Sequence, residues 1–134
     1  MLSILIHQDY DTLIDNNKYP SIAVKIVEHE FSEIGNCVEK RNANLRMCSI
    51  SEYSEDKDSE NVFIKIGGTP FLIQDEETYY KELEEHGFFF FLSIDEDGYS
   101  EDVIIGSYPF GYGALYLYKH HMTNEIIAGF WQYS

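Results

Sequence analysis

The chain has 134 residues, of which 44% are hydrophobic and 16% aromatic, a length and composition typical of one domain with a sizeable core. Its formal net charge is −15, from 24 acidic and 9 basic residues. A field of this sign repels nucleic-acid backbones and anionic membranes, so we expect no binding to either. We expect a cytoplasmic protein, because the N-terminal apolar run is short for a signal peptide and no stretch reaches the roughly 20 apolar residues of a membrane span.

The first half of the chain predicts strands separated by polar segments. Residues 2–7 alternate in hydropathy as a strand does, and residues 9–17 fit one short helical turn. Residues 21–31 and 45–50 are rich in β-branched side chains and predict two further strands. The serine-rich and acidic residues 51–61 are too polar to offset the entropy of ordering, which predicts a mobile loop.

The next segment predicts a strand, a helix and a buried strand. Residues 62–66 have strand character and end at a glycine pair. Asp75 is the expected N-cap of a helix that ends at Gly87, since glycine suits the left-handed C-terminal cap. Four consecutive phenylalanines within residues 88–94 predict a central strand that is buried on both faces.

The C-terminal part predicts an antiparallel meander. The tight-turn dipeptide Asp97-Gly98 predicts a hairpin between residues 88–94 and residues 103–105. Residues 114–118 and 126–133 predict the last two strands. The sequence therefore predicts a single α+β domain over residues 1–134, mostly antiparallel β-sheet with one or two short helices.

Patterns of potential metal ligands are incomplete. His120 and His121 are adjacent, and adjacent strand residues point to opposite faces, which favours a solvated turn over a shared metal. The acidic residues 95–102 lack the glutamate that stands twelfth in a calcium-binding loop. Cys37 and Cys48 lack the spacing of metal ligands, and in a reducing compartment we expect free, buried thiols.

Catalytic and nucleotide-binding patterns are incomplete as well. The serines lack the flanking glycines of a nucleophile elbow. Gly67-Gly68 is followed by Pro70 and three acidic residues rather than by a lysine-bearing helix start, which argues against a phosphate-binding loop. We therefore expect that the protein is not an enzyme. We expect no catalytic residue, no cofactor and no bound metal.

Several short motifs resemble a known family in their order along the chain. Residues 66–70 with Gln74 resemble the Gly-Gly-x-Pro...Gln element of the YwqG-like family of unknown function, and residues 91–97, 111–116 and 130–132 resemble later elements. The resemblance covers roughly residues 62–133 and implies a mixed α+β fold rich in antiparallel sheet. It implies no catalytic residues. The chain departs from the family in its short length and in lacking a recognisable Trp-Gly-Asp element.

The charge distribution carries the prediction of function. Residues 52–102 hold −13 of the net −15. Such clustered carboxylates speed encounter with a basic protein. We predict a non-catalytic protein-binding domain, a bacterial immunity protein that neutralises a basic toxin domain such as a nuclease, which must present cations to phosphate. The predicted partner-binding residues are carboxylates and turn tyrosines: Asp75, Glu76, Glu77, Glu82, Asp95, Asp97, Tyr99, Glu101, Asp102, Tyr108 and Tyr112.

Two alternatives stay open from the sequence. The first is a small-molecule-binding domain or weak enzyme with an aromatic-lined pocket formed by Tyr112, Tyr116, His120 and Trp131. A deep cleft that holds a histidine or carboxylate of strongly shifted pKa would favour it, whereas a flat acidic face would favour the immunity protein. The second alternative is a regulatory or scaffold protein, which composition does not separate from an immunity protein.

Overall fold

In a computed structural model of the chain, the described residues are 1–7, 9, 14–33, 35, 37, 49, 52, 54–55, 63–99, 105 and 113–134. They form two antiparallel sheets and one α-helix, which confirms the predicted α+β class. The strands are β1 (Leu2–Ile6), β2 (Val24–Glu28), β3 (Ile64–Ile66), β4 (Phe88–Asp95), β5 (Gly113–His120) and β6 (Ile126–Tyr133), and the helix is α1 (Glu77–Glu85).

The larger sheet has the strand order β3-β4-β5-β6, and β1 and β2 pair with each other in a second sheet. All neighbouring strands are antiparallel. β4 and β5 align from Phe88 opposite His120 to Asp95 opposite Ala114, with a bulge between Phe90 and Leu92. The predicted C-terminal meander is confirmed in β5 and β6.

The larger sheet forms the middle layer of the molecule, because alternate residues of β5 face two different clusters. Leu115 and Leu117 pack with β6 residues against the β1–β2 pair. Ala114, Tyr116 and Tyr118 pack on the other face, against α1. This alternation follows from the two-residue period of a strand, and burial on both faces explains why β5 is almost wholly apolar.

Helix α1 packs on the sheet through Leu83, which is completely buried. Its C-terminus is as predicted: Gly87 has φ +81° and its N–H donates to the Glu84 carbonyl at 3.0 Å. The predicted N-cap is wrong by one residue, because Glu76 and not Asp75 occupies that position, without a side-chain hydrogen bond. Two residues before this N-cap, the backbone of Gln74 is bonded by the Gln132 side chain of β6, as described below.

Two predictions for β4 are wrong. Phe88 and Phe90 are each 8% exposed but Phe89 is 38% exposed, so burial on both faces does not extend along the whole strand. The predicted hairpin is not the pairing that β4 adopts, because β3 and β5 occupy both its edges from Leu92 to Ile94. Glu96–Gly98 instead forms a 3-10 turn. Its Gly98 lies so close to Phe63 that a Cβ there would clash with the Phe63 backbone. Val103 and Ile104 lie outside the described residues.

The predictions for the N-terminal half have mixed outcomes. The first two predicted strands are confirmed as β1 and β2, and Ile14–Asn16 forms a 3-10 turn within the predicted helical segment. The strand predicted at residues 45–50 and the loop predicted at residues 51–61 fall mainly outside the described residues. Cys37 is free as expected but exposed, so its predicted burial is wrong. Cys48 lies outside the described residues. Across the described part of the chain, no helix combines the length and hydropathy needed to cross a membrane.

Candidate partner-binding site

A pair of glutamines joins the start of α1 to the end of β6. Gln132 is completely buried in β6. Its Oε1 accepts from the Gln74 N–H at 3.1 Å and its Nε2 donates to the Gln74 carbonyl at 2.6 Å. The Gln74 side chain in turn donates to the Tyr133 carbonyl at 3.3 Å and accepts from the Tyr79 hydroxyl at 2.8 Å. The acidic residues that follow Gln74 are thereby fixed beside the last residues of β6.

The end of β4 lies at the same end of the sheet. Asp95 is opposite Ala114, and Ala114 is opposite Gln132, so the three residues form one row across the strands. Such a row spans about 10 Å, two strand spacings. The Ser134 hydroxyl donates to Glu96 Oε1 at 2.8 Å and ties the turn after β4 to the residue that follows β6.

These contacts bring together carboxylates that are 20 residues apart in the chain. We call this group the acidic end; it comprises Asp75, Glu76, Glu77, Asp95, Glu96 and Asp97. Five of its members were predicted at a binding surface, and the half-buried Glu96 was not among them. In place of the predicted hairpin, the turn and its N-cap carry three consecutive acidic residues, of which Asp97 is exposed and Asp95 and Glu96 are half-buried.

The acidic end retains its negative charge. Asp75, Glu76, Glu77 and Asp97 are exposed. The lysine of α1, Lys81, pairs with Glu77 at 3.5 Å, but both side chains are largely in solvent, where such a pair is weak. Water therefore screens this pair, and the other carboxylates keep their field.

Asp95 differs from the other carboxylates because it is half-buried. Burial raises the pKa of the Asp95 carboxyl, the hydrogen bond from the Asp97 N–H opposes that rise, and repulsion from the Asp97 carboxylate adds to it. A carboxylate held in this way gains more from an approaching cation than a fully solvated one does. Asp95 is thus the carboxyl of the acidic end whose ionisation is opposed by burial.

The other predicted partner-binding residues have different positions. Glu82 is exposed on α1. Tyr99 is half-buried and its ring packs against Phe63, with 4.7 Å between centroids, so it contributes to the fold around the turn. The remaining four residues lie outside the described part of the chain: Glu101, Asp102, Tyr108 and Tyr112.

The aromatic pocket predicted from sequence is not assembled by its described members. Tyr116 faces α1, whereas Trp131 faces the β1–β2 pair on the opposite side of the sheet. The Tyr116 hydroxyl donates to the Phe71 carbonyl at 2.7 Å and accepts from the Ile73 N–H at 3.3 Å, and burial raises the pKa of this phenol to about 12. The group is therefore a neutral structural contact.

The solvated turn predicted at His120-His121 begins only at His121, because His120 is the half-buried last residue of β5. Its Nδ1 accepts from the N–H of Met122 at 3.2 Å and from that of Thr123 at 3.1 Å, which orders the turn between β5 and β6. Its ring packs edge-on against Phe88, with 4.9 Å between centroids. Among the described residues, no group of three or more His, Cys, Asp or Glu is arranged to hold a metal ion.

A cleft that was not predicted lies beside the first residues of β4. It has a volume of about 710 Å³ and is bounded by α1, by β4 and by residues 68–72. Its walls are mainly apolar and aromatic, and they carry two carboxylates, Asp75 and Glu84. One feature of the sequence could have indicated this cleft: the strand that ends at Gly67-Gly68 is shorter than the aromatic strand that follows it in the chain. Asp75 belongs to both the cleft and the acidic end.

The short motifs that resemble the YwqG-like family have structural roles in this chain. Gly67 and Gly68 both have φ +69°, a conformation that glycine adopts without strain, and they turn the chain after β3. Gln74 lies in the contacts with Gln132 described above. The family resemblance stays a prediction. Comparisons with models of protein families, with curated proteins and with solved structures found no match.

Proposed function

We propose that this chain is a non-catalytic binding domain for a basic protein, and that the partner is a toxin domain neutralised in the manner of a bacterial immunity protein. The observation that supports the proposal is the acidic end. Two separate segments with six carboxylates adjoin the last residues of β6 there, one next to Gln74, which is bonded to Gln132 and Tyr133, and one through Glu96, which is bonded to Ser134. A rigid support lowers the entropic cost of ordering these side chains on binding.

Electrostatics gives this surface a specific advantage for a basic partner. A net charge of −15 raises the encounter rate with a positively charged protein, and the six carboxylates of the acidic end, a quarter of the 24 acidic residues, would help to orient that encounter. A nuclease must expose lysines and arginines to bind phosphate, so its substrate-binding surface is complementary to such an end. Covering that surface would inhibit the nuclease without any chemistry by the binder.

Small-molecule binding is the second candidate, and one observation favours it. The cleft of about 710 Å³ is within the usual volume range of ligand pockets and has an aromatic lining. Binding of a basic protein through the acidic end does not require this cleft. We therefore rank protein binding first and treat the cleft as a separate question below.

The proposed function is tested by affinity capture on the immobilised full-length chain, followed by purification of the captured protein and measurement of its association rate. We expect a basic protein whose association rate falls at least about tenfold between low and physiological salt, because screening shortens the range of the field. A partner with an acidic surface, or a rate that is independent of salt, would refute the proposal.

A further inference from the structure

Part of β4 has no neighbouring strand on one side. β3 has three residues and pairs only with Leu92–Ile94 of the eight-residue β4. The Gly67 N–H donates to the Phe91 carbonyl at 2.9 Å, and the chain then turns away at the two glycines. Residues 88–90 therefore have β5 on one edge and the cleft on the other.

The backbone direction of residues 88–90 follows from their bonds to β5. The His121 N–H donates to the Gly87 carbonyl at 3.0 Å, so Gly87 faces β5, and Phe89, two residues on, faces it too. The N–H and C=O groups of Phe88 and Phe90 consequently point to the open edge. In the part of the chain that the structure describes, no group bonds to them on that side.

The opposite edge of the same sheet, the outer edge of β6, is covered by another segment of the chain, unlike the edge of β4 at residues 88–90. The Tyr19 N–H donates to the Gly129 carbonyl and the Trp131 N–H donates to the Asn17 carbonyl, both at 2.7 Å, so residues 17–19 cover the outer edge of β6. Exposed edges are usually blunted by lysine, proline or a covering segment. Residues 88–90 are three phenylalanines without lysine or proline among them, and the structure describes no segment hydrogen-bonded along this edge, although a bulge follows Phe90 and residues 68–72 form the far wall of the cleft.

The cleft lies where a further strand would add. Phe71 is 58% exposed on one wall and Phe89 is 38% exposed beside the edge, which offers apolar contacts to alternate side chains of a strand. Asp75 and Glu84 stand on the α1 side. Burial first, and then the carboxylates of Asp75, Glu77 and Glu84, raise the pKa of Tyr80, which also lines the cleft. The negative field therefore extends to this wall.

We propose that the open edge of β4 at residues 88–90 is a docking site for an extended, lysine- or arginine-bearing segment of the basic partner, which adds to the sheet as a short strand. The proposal rests on the proposed function and names the part of the partner that is bound. The charge of the cleft favours a basic segment over a second copy of this chain. A second copy also has a net charge of −15 and would be repelled, whereas a basic segment is attracted by Asp75 and Glu84.

The test uses the full-length chain and fluorescently labelled heptapeptides of alternating lysine and valine, with binding measured by anisotropy. Two further versions carry N-methyl groups on every valine amide or on every lysine amide, which removes the hydrogen-bond donors of one edge or of the other. Strand addition predicts that one methylated peptide binds like the parent and that the other loses at least about tenfold in affinity. Equal binding of all three would overturn the proposal.

Matched variants locate the binding. Glu84→Lys changes a carboxylate of the cleft, and Glu85→Lys makes the same change at the next residue, which does not line it. We expect about a tenfold loss of peptide affinity for the first and less than about threefold for the second. Phe71→Ala and Phe31→Ala compare two exposed phenylalanines, 58% and 82% exposed, of which the first alone lines the cleft. Equal effects within either pair would contradict docking at this edge.

The same variants separate this proposal from the proposed function. If the purified basic partner loses affinity on Asp97→Lys but not on Glu84→Lys or Phe71→Ala, the acidic end binds the partner and docking at the β4 edge is refuted. If the peptides bind with the expected pattern but no basic protein does, the edge accepts strands and the proposed function fails. If a small apolar molecule fills the cleft while the parent peptide does not bind, docking at the edge is again refuted.

Discussion

At the scale of single residues, the candidate site depends on Gln132. This side chain is completely buried and uses both ends of its amide on the backbone of Gln74, 58 residues away in the chain. The Tyr116 hydroxyl holds the preceding residues, through the Phe71 carbonyl and the Ile73 N–H. The position of the carboxylates at the start of α1 therefore depends in large part on two side chains of the core, Gln132 and Tyr116.

Replacing Gln132 by leucine is expected to destabilise the protein by about 2–3 kcal/mol. Leucine fills much of the space but leaves the Gln74 N–H without its partner, while the Gln74 carbonyl keeps only the bond from the Glu76 N–H, and an unsatisfied donor of that kind is costly. Urea unfolding monitored by circular dichroism measures the change. Gln74→Ala, which keeps the backbone bonds to Gln132, is the control and should cost less. Equal stability of Gln132→Leu and the natural protein would contradict the role given to this residue.

Asp95 gives a pH-dependent prediction. Because its pKa is raised in the folded state, ionisation of Asp95 destabilises the fold at pH values above that pKa. Asp95→Asn retains an oxygen that can accept from the Asp97 N–H and removes the charge, so we expect a higher urea midpoint at pH 7. The gain should shrink as the pH falls through the folded-state pKa and should be absent below the ordinary value of 3.8. If the urea midpoint of Asp95→Asn stayed higher than that of the natural protein at low pH, the stabilisation would not come from removal of the Asp95 charge.

At the scale of elements, α1 carries its charges in an unfavourable arrangement. Glu77 lies in its first turn, where the helix dipole favours an acid, but no basic residue lies in its last turn, where Glu84 and Glu85 stand. Acids at that end oppose the dipole.

The two ends of α1 should therefore respond to mutation with opposite signs. Glu85→Lys is expected to stabilise the protein by about 0.5 kcal/mol, because a cation at the C-terminus of a helix interacts favourably with the dipole. Glu77→Gln is expected to destabilise it by a similar amount, since it removes a favourable charge and the pairing with Lys81. Thermal unfolding at low salt measures both. Shifts of the same sign would exclude the dipole as the cause.

Local patterns in the sequence predicted most elements, because hydropathy period, capping glycine and β-branched content act over a few residues. They predicted β1, β2, α1 and the pairing of β5 with β6. They failed for the neighbours of β4, since Asp97-Gly98 favoured a hairpin locally while β3 and β5 offered more extensive pairing on both edges.

The candidate site was only partly predictable, for the same reason. Clustering of acidic residues in the chain identified most members of the acidic end. Their meeting in space depends on Gln132 and on cross-strand register, which join distant residues and leave no local signal. The cleft arises from the unequal lengths of β3 and β4, a property of pairing that no single segment encodes.

At the scale of the whole molecule, the excess of carboxylates has a cost for stability and, under the proposed function, serves recognition. A net charge of −15 on 134 residues destabilises the folded state through self-repulsion, and the sheet and helix must hold the acidic end together against it. A basic partner relieves that repulsion on binding. Charge placed at one end thus favours an oriented encounter over general attraction.

The opposite end of the larger sheet offers a charge-matched control. Glu125 is exposed in the turn between β5 and β6, at the end where β4 begins, whereas Asp97 is exposed at the acidic end. Asp97→Lys and Glu125→Lys change the net charge by the same amount. Any difference between them therefore reports where the charge lies.

The decisive measurement is the association rate of the purified basic partner with these two variants at low salt. We expect Asp97→Lys to lower the rate by about three- to tenfold and Glu125→Lys to leave it within about twofold, with the difference shrinking as salt is added. Equal slowing by both variants, or no slowing by either, would contradict recognition through the acidic end.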